Sequence, residues 1–364
     1  PPPVGAAPDF SKYTNALVLQ PSEGAGNVAR IAGRSLERYH FSRTPFKDEI
    51  SSRFFERYLE VLDPQRMYFL QSDYDEFGAF KTQLDDLTMR QGDVGPAYTI
   101  FNRFLQRLDQ QYAQAMEQLR AGQFKLDGDD RYVLDRKKEP RPKDLAAARR
   151  LWSDRLRFEY LAEKLNQPEL PVLSSNVWKT LQKGATNKVS DLETALGKER
   201  AAQVLQAAEA GRLKAVSDLQ SILSRTLSDD QRKAILDKLT RRYQRTLRTL
   251  KQYEPDEVLQ LYLDSLAHAY DPHSNYFGKS ELDSFSISMN LSLSGIGATL
   301  QSEDGYTVIR SLVTGGPAEK SKLIKVGDKI VAVAQDDHGR RGEWVDVVDE
   351  KLRKVVEQIR GTKG

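Results

Sequence analysis

Between Met289 and Arg310 the chain reads MNLSLSGIGATLQSEDGYTVIR, and few folds can be built around such a stretch. Apolar residues alternate at Leu291 and Leu293, then at Ile296, Ala298 and Leu300 after a slip at Ser294-Gly295, and again at Tyr306 and Val308 beyond Asp304-Gly305. A two-residue period on either side of turn residues predicts the two strands of a hairpin. Gly295 and Gly297 flank Ile296, so the backbone there can take dihedrals closed to other residues, and successive amides can converge on one anion. A dinucleotide-binding loop needs a helix straight after its glycines. A strand follows here, which favours a carboxylate held at a sheet edge over a phosphate.

Two further motifs follow the hairpin. GGPAEKSKL, from Gly315, predicts a turn and short helix; VGDKIVAV, from Val326, predicts a turn and an apolar strand. Asp349 to Arg360 then places Leu352, Val355, Val356 and Ile359 on one helical face. Each motif is common alone, but the three in this order resemble a PDZ domain. Such domains bind peptide C-termini by strand addition, with the peptide carboxylate on the glycine-loop amides. The resemblance implies a carboxylate site at Gly295, Ile296 and Gly297, a pairing strand carrying Ala298 and Leu300, and a side-chain pocket lined by Leu352, Val355 and Val356. Read from the residues alone, Val355 is divided evenly between core and pocket, and Ile359 is core.

The remainder predicts a mostly α-helical domain followed by the small β-rich one, an α+β chain. Residues 1–26 are rich in proline and glycine and are expected to be extended. Residues 27–285 form the expected helical domain, with a lobe boundary at 167–175 marked by Pro168 and Pro171, and 286–364 the PDZ domain. Val28, Ile31, Leu36 and Tyr39 predict the inner face of a first helix; Ile50, Phe54, Phe55, Tyr58, Leu59 and Leu62 predict a second that Asp63-Pro64 stops. Ser72 is placed as the cap of a third, Pro96 starts a long one reaching Gly122, and Asp144 begins another through Trp152 to Leu165. Residues 176–250 read as helix interrupted at Gly184, Gly197 and Gly211, with a capping box at Ser228 and Gln231.

Several functions are set aside on composition and spacing. The 364 residues carry 55 basic and 52 acidic side chains, too even a balance to argue for nucleic acid or a membrane surface. The run Arg241 to Arg245 has no stripe of stacking aromatics and reads as a solvated helix face. Cysteine is absent, which excludes disulfides and thiol catalysis and fits an oxidising compartment. Asp127, Asp129 and Asp135 lack the glycine and glutamate that a calcium loop requires, and Pro272 breaks the helix that would align His268 with His273, so no metal or other cofactor is expected. No apolar run spans a membrane, and residues 1–8 have no signal-peptide pattern.

HAYDPHSNYF from His268, followed by the glycine loop and the PDZ pattern, is similar to the carboxyl-terminal processing serine proteases. LDPQRMYF from Leu62, Tyr132 to Arg136 and Leu151-Trp152 resemble the periplasmic tail-specific branch of that family in Gram-negative bacteria. The resemblance implies a periplasmic serine endopeptidase that recognises apolar C-termini of protein substrates, with an adaptor protein on the helical domain as a further partner. It also implies a serine and lysine dyad beyond Gly364, and the PDZ pattern lacks the strands expected after its last helix. The rivals are a non-enzymatic PDZ scaffold and a helical RNA-binding protein. Residues 1–364 should therefore bind without cutting. An unstructured protein with an apolar tail should survive incubation with them, and turnover abolished by mutating a serine within this range would overturn the expectation.

Overall fold

A computed structural model describes residues 18–126, 128–166, 177–178, 189–214, 218–219, 222, 227–279, 281–282, 285–286, 295–303, 305–337 and 340–360. The expected lobe boundary at 167–175, the break at Gly184, Leu291, Leu293 and Ser294 lie outside these residues, as does most of the N-terminal segment. The chain divides into two compact units, Pro1–Tyr276 and Phe277–Gly364. The first is helical; the second, among the described residues, carries short antiparallel strands and helices that include Pro317–Ser321 and Leu352–Arg360. The α+β reading of a helical domain followed by a small β-rich one holds.

In the first unit the helices are α1 (Ala25–Tyr39), α2 (Asp48–Leu62), α3 (Gln71–Phe77), α4 (Gly95–Ala121), α5 (Leu145–Leu165), α6 (Val189–Leu196), α7 (Lys198–Glu209), α8 (Asp229–Lys251) and α9 (Pro255–Tyr270). The face read for α2 is the buried one: Ile50, Phe54, Phe55, Tyr58, Leu59 and Leu62 are all in the core. Phe54 and Tyr58 meet Tyr262 of α9, with ring centroids 4.4 and 5.1 Å away, and the Tyr58 hydroxyl donates to the carbonyl of Ala97 at 2.9 Å. That bond removes the cost of burying the phenol. Helix α4 has 27 residues, about 40 Å of rise. Its first half packs in this core through Ala97, Phe101 and Phe104; its second half packs with Leu156 of α5 and Leu239 of α8 through Ala115, Met116 and Leu119.

Two predicted details are corrected. Helix α1 buries Ala25, Ala29 and Gly33, while Val28, Ile31 and Tyr39 are exposed and Leu36 only packs against the core's edge. The reason is close approach: a Cβ on Gly26 would lie 1.9 Å from the carbonyl oxygen of Gly92, and one on Gly33 would lie 2.7 Å from Met89 Sδ. Small residues let this backbone sit against the π-type turn at Asp86–Gln91, so size outweighs hydrophobicity in choosing the face. Ser72 does not cap α3. That helix starts at Gln71, and the Leu70 amide donates to Asp73 Oδ2 at 2.9 Å. By contrast, the Ser228 capping box is formed at both ends, with Gln231 N to Ser228 Oγ and Ser228 N to Gln231 Oε1 each at 3.2 Å. Arg242, from the basic run, is held by Glu163 of α5 at 2.6 Å.

Asp73 is a buried electrostatic tie in this unit. Its side chain is 1% exposed and takes Arg103 Nη1 at 2.5 Å, Arg107 Nε at 2.8 Å and Arg107 Nη2 at 2.7 Å. Burial by itself would raise its carboxyl; the bonds from Arg107, the Leu70 amide and Arg103 outweigh that and hold it below the ordinary aspartate value. Folded-state stabilisation from this group is present above the unfolded pKa and is lost as pH falls through the lower folded value. Asp73→Asn should cost about 3 kcal/mol, because Arg107 loses its carboxylate and Arg103 keeps only Glu76. The variant should also show a shallower loss of stability below about pH 4 than the parent, measured by urea unfolding across pH. A second expectation is that residues 1–276 melt cooperatively alone, since their cores are internal to the unit; little helix by circular dichroism would overturn it.

Candidate peptide-binding site

The second unit is built on β1 (Ala298–Glu303) and β2 (Tyr306–Leu312), the predicted hairpin, paired antiparallel from Glu303 opposite Tyr306 to Ala298 opposite Leu312. The register slips between Thr299 and Leu300, where Arg310 is the extra residue on β2; a slip had been expected three residues before the ladder, at Ser294-Gly295. A bulge adds local twist without turning the inward face of the strand outward. β3 (Lys329–Ile330) pairs with the other side of β2, so among the described residues β1 is an edge strand. Helix α10 (Pro317–Ser321) follows the hairpin. β4 (Ala332–Val333) pairs with β7 (Val345–Asp346), and β5 (Asp336–Asp337) with β6 (Arg340–Arg341). Last comes α11 (Leu352–Arg360), which packs beside β1 and β4.

The two glycine motifs meet. Gly297 has φ +74°, and a Cβ there would lie 3.1 Å from Gly316 Cα and 3.3 Å from Pro317 Cδ; a Cβ on Gly316 would lie 2.9 Å from the Val313 carbonyl oxygen. Only residues without side chains allow this approach, and the positive φ adds a second reason at Gly297. The loop is then fixed by its carbonyls: Ala318 N donates to Ile296 O and Val313 N to Gly297 O, both at 2.8 Å. Among the described residues nothing accepts from the amides of Gly295, Ile296 or Gly297. Gly295 differs from Gly297. It has no positive φ, and its nearest obstacle would be Arg360 Cγ at 3.9 Å, ordinary van der Waals distance.

Where α11 packs beside β1, Ala298 and Leu300 are half-buried on the strand; Leu352 and Val356 are half-buried on the helix, as is Ile359. Val355 is fully buried. Arg360 is a residue that the reading of apolar positions passed over. It stands four residues after Val356, on the face that carries Leu352 and Val356, and its stem lies beside the glycine loop. That spacing was the available signal. The third motif serves the scaffold: Gly327 N donates to Ile309 O at 2.8 Å and Ile309 N to Asp328 O at 3.0 Å, which joins the VGD turn to β2.

Elsewhere, His268 and His273 are not brought together as ligands: His268 Nδ1 lies 2.8 Å from its own helix's Asp264 carbonyl, and His273 Nδ1 lies 3.2 Å from Asp271. Among the described residues no group of acidic and histidine side chains could hold a metal, and no helix is long and apolar enough to cross a membrane.

Residues 33–214 and 212–280 match the tail-specific protease N-terminal domain, and residues 284–364 match the PDZ domain. The chain is 31% identical over 344 residues to the tail-specific protease of Haemophilus influenzae, covering 94% of this chain and 40% of that protein. It is 30% identical over 139 residues to the carboxy-terminal processing protease CtpB of Bacillus subtilis, covering 38% of this chain and 27% of that one. With CtpA of the same organism it shares 35% over 94 residues, 26% of this chain and 18% of the relative. The crystal structure of the PDZ domain of the carboxy-terminal protease from Vibrio cholerae, in complex with peptide, is 49% identical; it covers 20% of this chain and 69% of that chain, with a TM-score of 0.18. The chain thus spans no more than 40% of the length of these three full-length relatives. With the N-terminal domain match running over most of its length and the PDZ match directly after it, the chain belongs to the tail-specific protease family.

Proposed function

We propose that the chain is the N-terminal and PDZ portion of a periplasmic carboxyl-terminal processing serine protease, and that its second unit captures the apolar C-termini of protein substrates. The observation that carries the proposal is the glycine loop, whose Ile296 and Gly297 carbonyls are committed while three consecutive amides beside them have no acceptor among the described residues. Amides fixed in this way offer a carboxylate charge-assisted hydrogen bonds without reorganising. A peptide added antiparallel to the edge of β1 would end on those amides. Its terminal side chain would lie between Ala298 and Leu300 on one wall and Leu352 and Val356 on the other, above Val355. Arg360 adds positive charge at the carboxylate end. The bond-breaking serine and lysine lie outside residues 1–364, so these residues bind and do not cleave.

The geometry separates the two loop glycines experimentally. Gly297→Val should abolish measurable binding of a peptide with a free apolar C-terminus, because both the positive φ and the 3.1 Å approach to Gly316 forbid the side chain. Gly295→Ala should bind within about threefold of the parent, a difference under about 1 kcal/mol. Amidating the peptide should cost roughly 1.5 to 3 kcal/mol. Calorimetry on the full-length protease, with its serine replaced, reads all three. Equal affinity for free and amidated peptides would remove the carboxylate role.

A further inference from the structure

The helical unit contains a concavity of about 510 Å³ with an unusual charge content. Arg53 and Arg57 enter it from α2, Arg66 from the turn after α2, Lys81 from beyond α3, and Lys137 and Arg141 from the segment before α5. Three carboxylates, Glu56, Glu60 and Asp63, also line it. Six cations line it against three carboxylates, and a fourth carboxylate, Glu49, pairs with Arg53 at 3.2 Å.

The carboxylates are already occupied. Glu56 accepts from the Tyr74 hydroxyl at 2.5 Å and from Lys81 Nζ at 2.7 Å, and Glu60 pairs with Arg57 at 2.8 Å. Asp63 accepts the amides of Met67, Tyr68 and Phe69 at 2.7 to 3.0 Å. Arg141 reaches Asp63 only at 3.4 Å, although its side chain is 9% exposed. Its guanidinium lies against the rings of Tyr74 and Phe69, 5.3 and 5.9 Å from their centroids. Burial pulls Arg141 below the ordinary arginine value and pushes Asp63 above the aspartate one, each shift being opposed by the other's charge. Arg57 Nε is buried without an acceptor among the described residues. Lys137 has no carboxylate within 4.0 Å among them, and Arg66 spends one donor on the Glu139 carbonyl.

We infer that this concavity is a binding site for an acidic peptide segment of a partner protein. Planar guanidinium groups such as those of Arg66 and Arg141 match carboxylates in bidentate geometry. The interspersed Glu56 and Glu60 would repel a compact phosphate cluster. They suit a ligand whose single charges are spaced along a chain and separated by backbone N–H donors. The volume is that of a small-molecule or short-peptide site. The site is contained in residues 1–276 and is independent of the glycine loop.

The test uses acetyl-(Gly-Glu)4-amide, whose blocked C-terminus keeps the glycine loop out of the measurement, titrated into the full-length protease by calorimetry at low ionic strength. Binding is expected, with an affinity that falls steeply with added salt, and none for the Gly-Lys counterpart. Arg53 and Lys137 are both exposed, so the double variant Arg53→Gln with Lys137→Gln should keep the parent's circular dichroism and lose at least about tenfold in affinity. Absence of binding, or equal binding by the folded double variant, would overturn the inference. So would tighter binding of pyrophosphate that displaces the peptide, which would make this a phosphate site instead.

Discussion

Asp63 is the group on which the arrangement of the helical unit depends. It ends α2, and its buried carboxylate then accepts three successive amides from Met67 to Phe69, which folds the following turn back on itself. That turn becomes an attachment point for distant segments. Trp152 Nε1 of α5 donates to the Met67 carbonyl at 2.7 Å, the Gln71 amide donates to the Pro142 carbonyl at 2.8 Å, and the Arg136 amide donates to Gln65 at 2.7 Å. A buried polar group that saturates its acceptors in this way specifies one conformation, because any rearrangement leaves several donors unpaired in a region that water does not reach.

The same turn links packing to electrostatics. Phe69 enters the core beside Phe77 and Phe104, while the residues just before it, Pro64 and Arg66, face the basic concavity. Four residues beyond Phe69, Asp73 draws two arginines of α4 against α3. Charges are therefore concentrated where helices end, and the apolar faces between them are left to aromatic contacts. Long helix α4 carries this order from one core to the next, so the helical unit is one structure with several cores instead of a string of independent ones.

In the second unit the corresponding constraint is steric. Gly297 and Gly316 must both lack side chains for the loop to reach α10, and the two hydrogen bonds that follow use its carbonyls while its amides have no acceptor among the described residues. A hairpin edge, a fixed loop and the helix carrying Leu352 and Val356 then lie side by side. None of these parts is unusual alone; their chemistry arises from being held together.

Much of this was legible in the sequence. The hairpin, the apolar face of α2, the Ser228 capping box and the helix ending at Gly122 follow from local periodicity and turn chemistry, which a linear string records directly. So does the family, because ordered motifs survive in sequence even where each is weak. What the string does not record is approach between distant segments. The inner face of α1 differs from the apolar pattern because Gly26 and Gly33 lie against Gly92 and Met89, residues some sixty positions away, which turns Ala25 and Ala29 inward with them. The spacing of Arg360 puts it on the Leu352 and Val356 face, but only the tertiary structure puts its stem beside Gly295. LDPQRMYF was read as a helix stop, yet its aspartate organises the turn that carries Trp152. Local pattern fixes which elements form; which residue touches which is decided only when burial, charge pairing and excluded volume act on the whole chain at once.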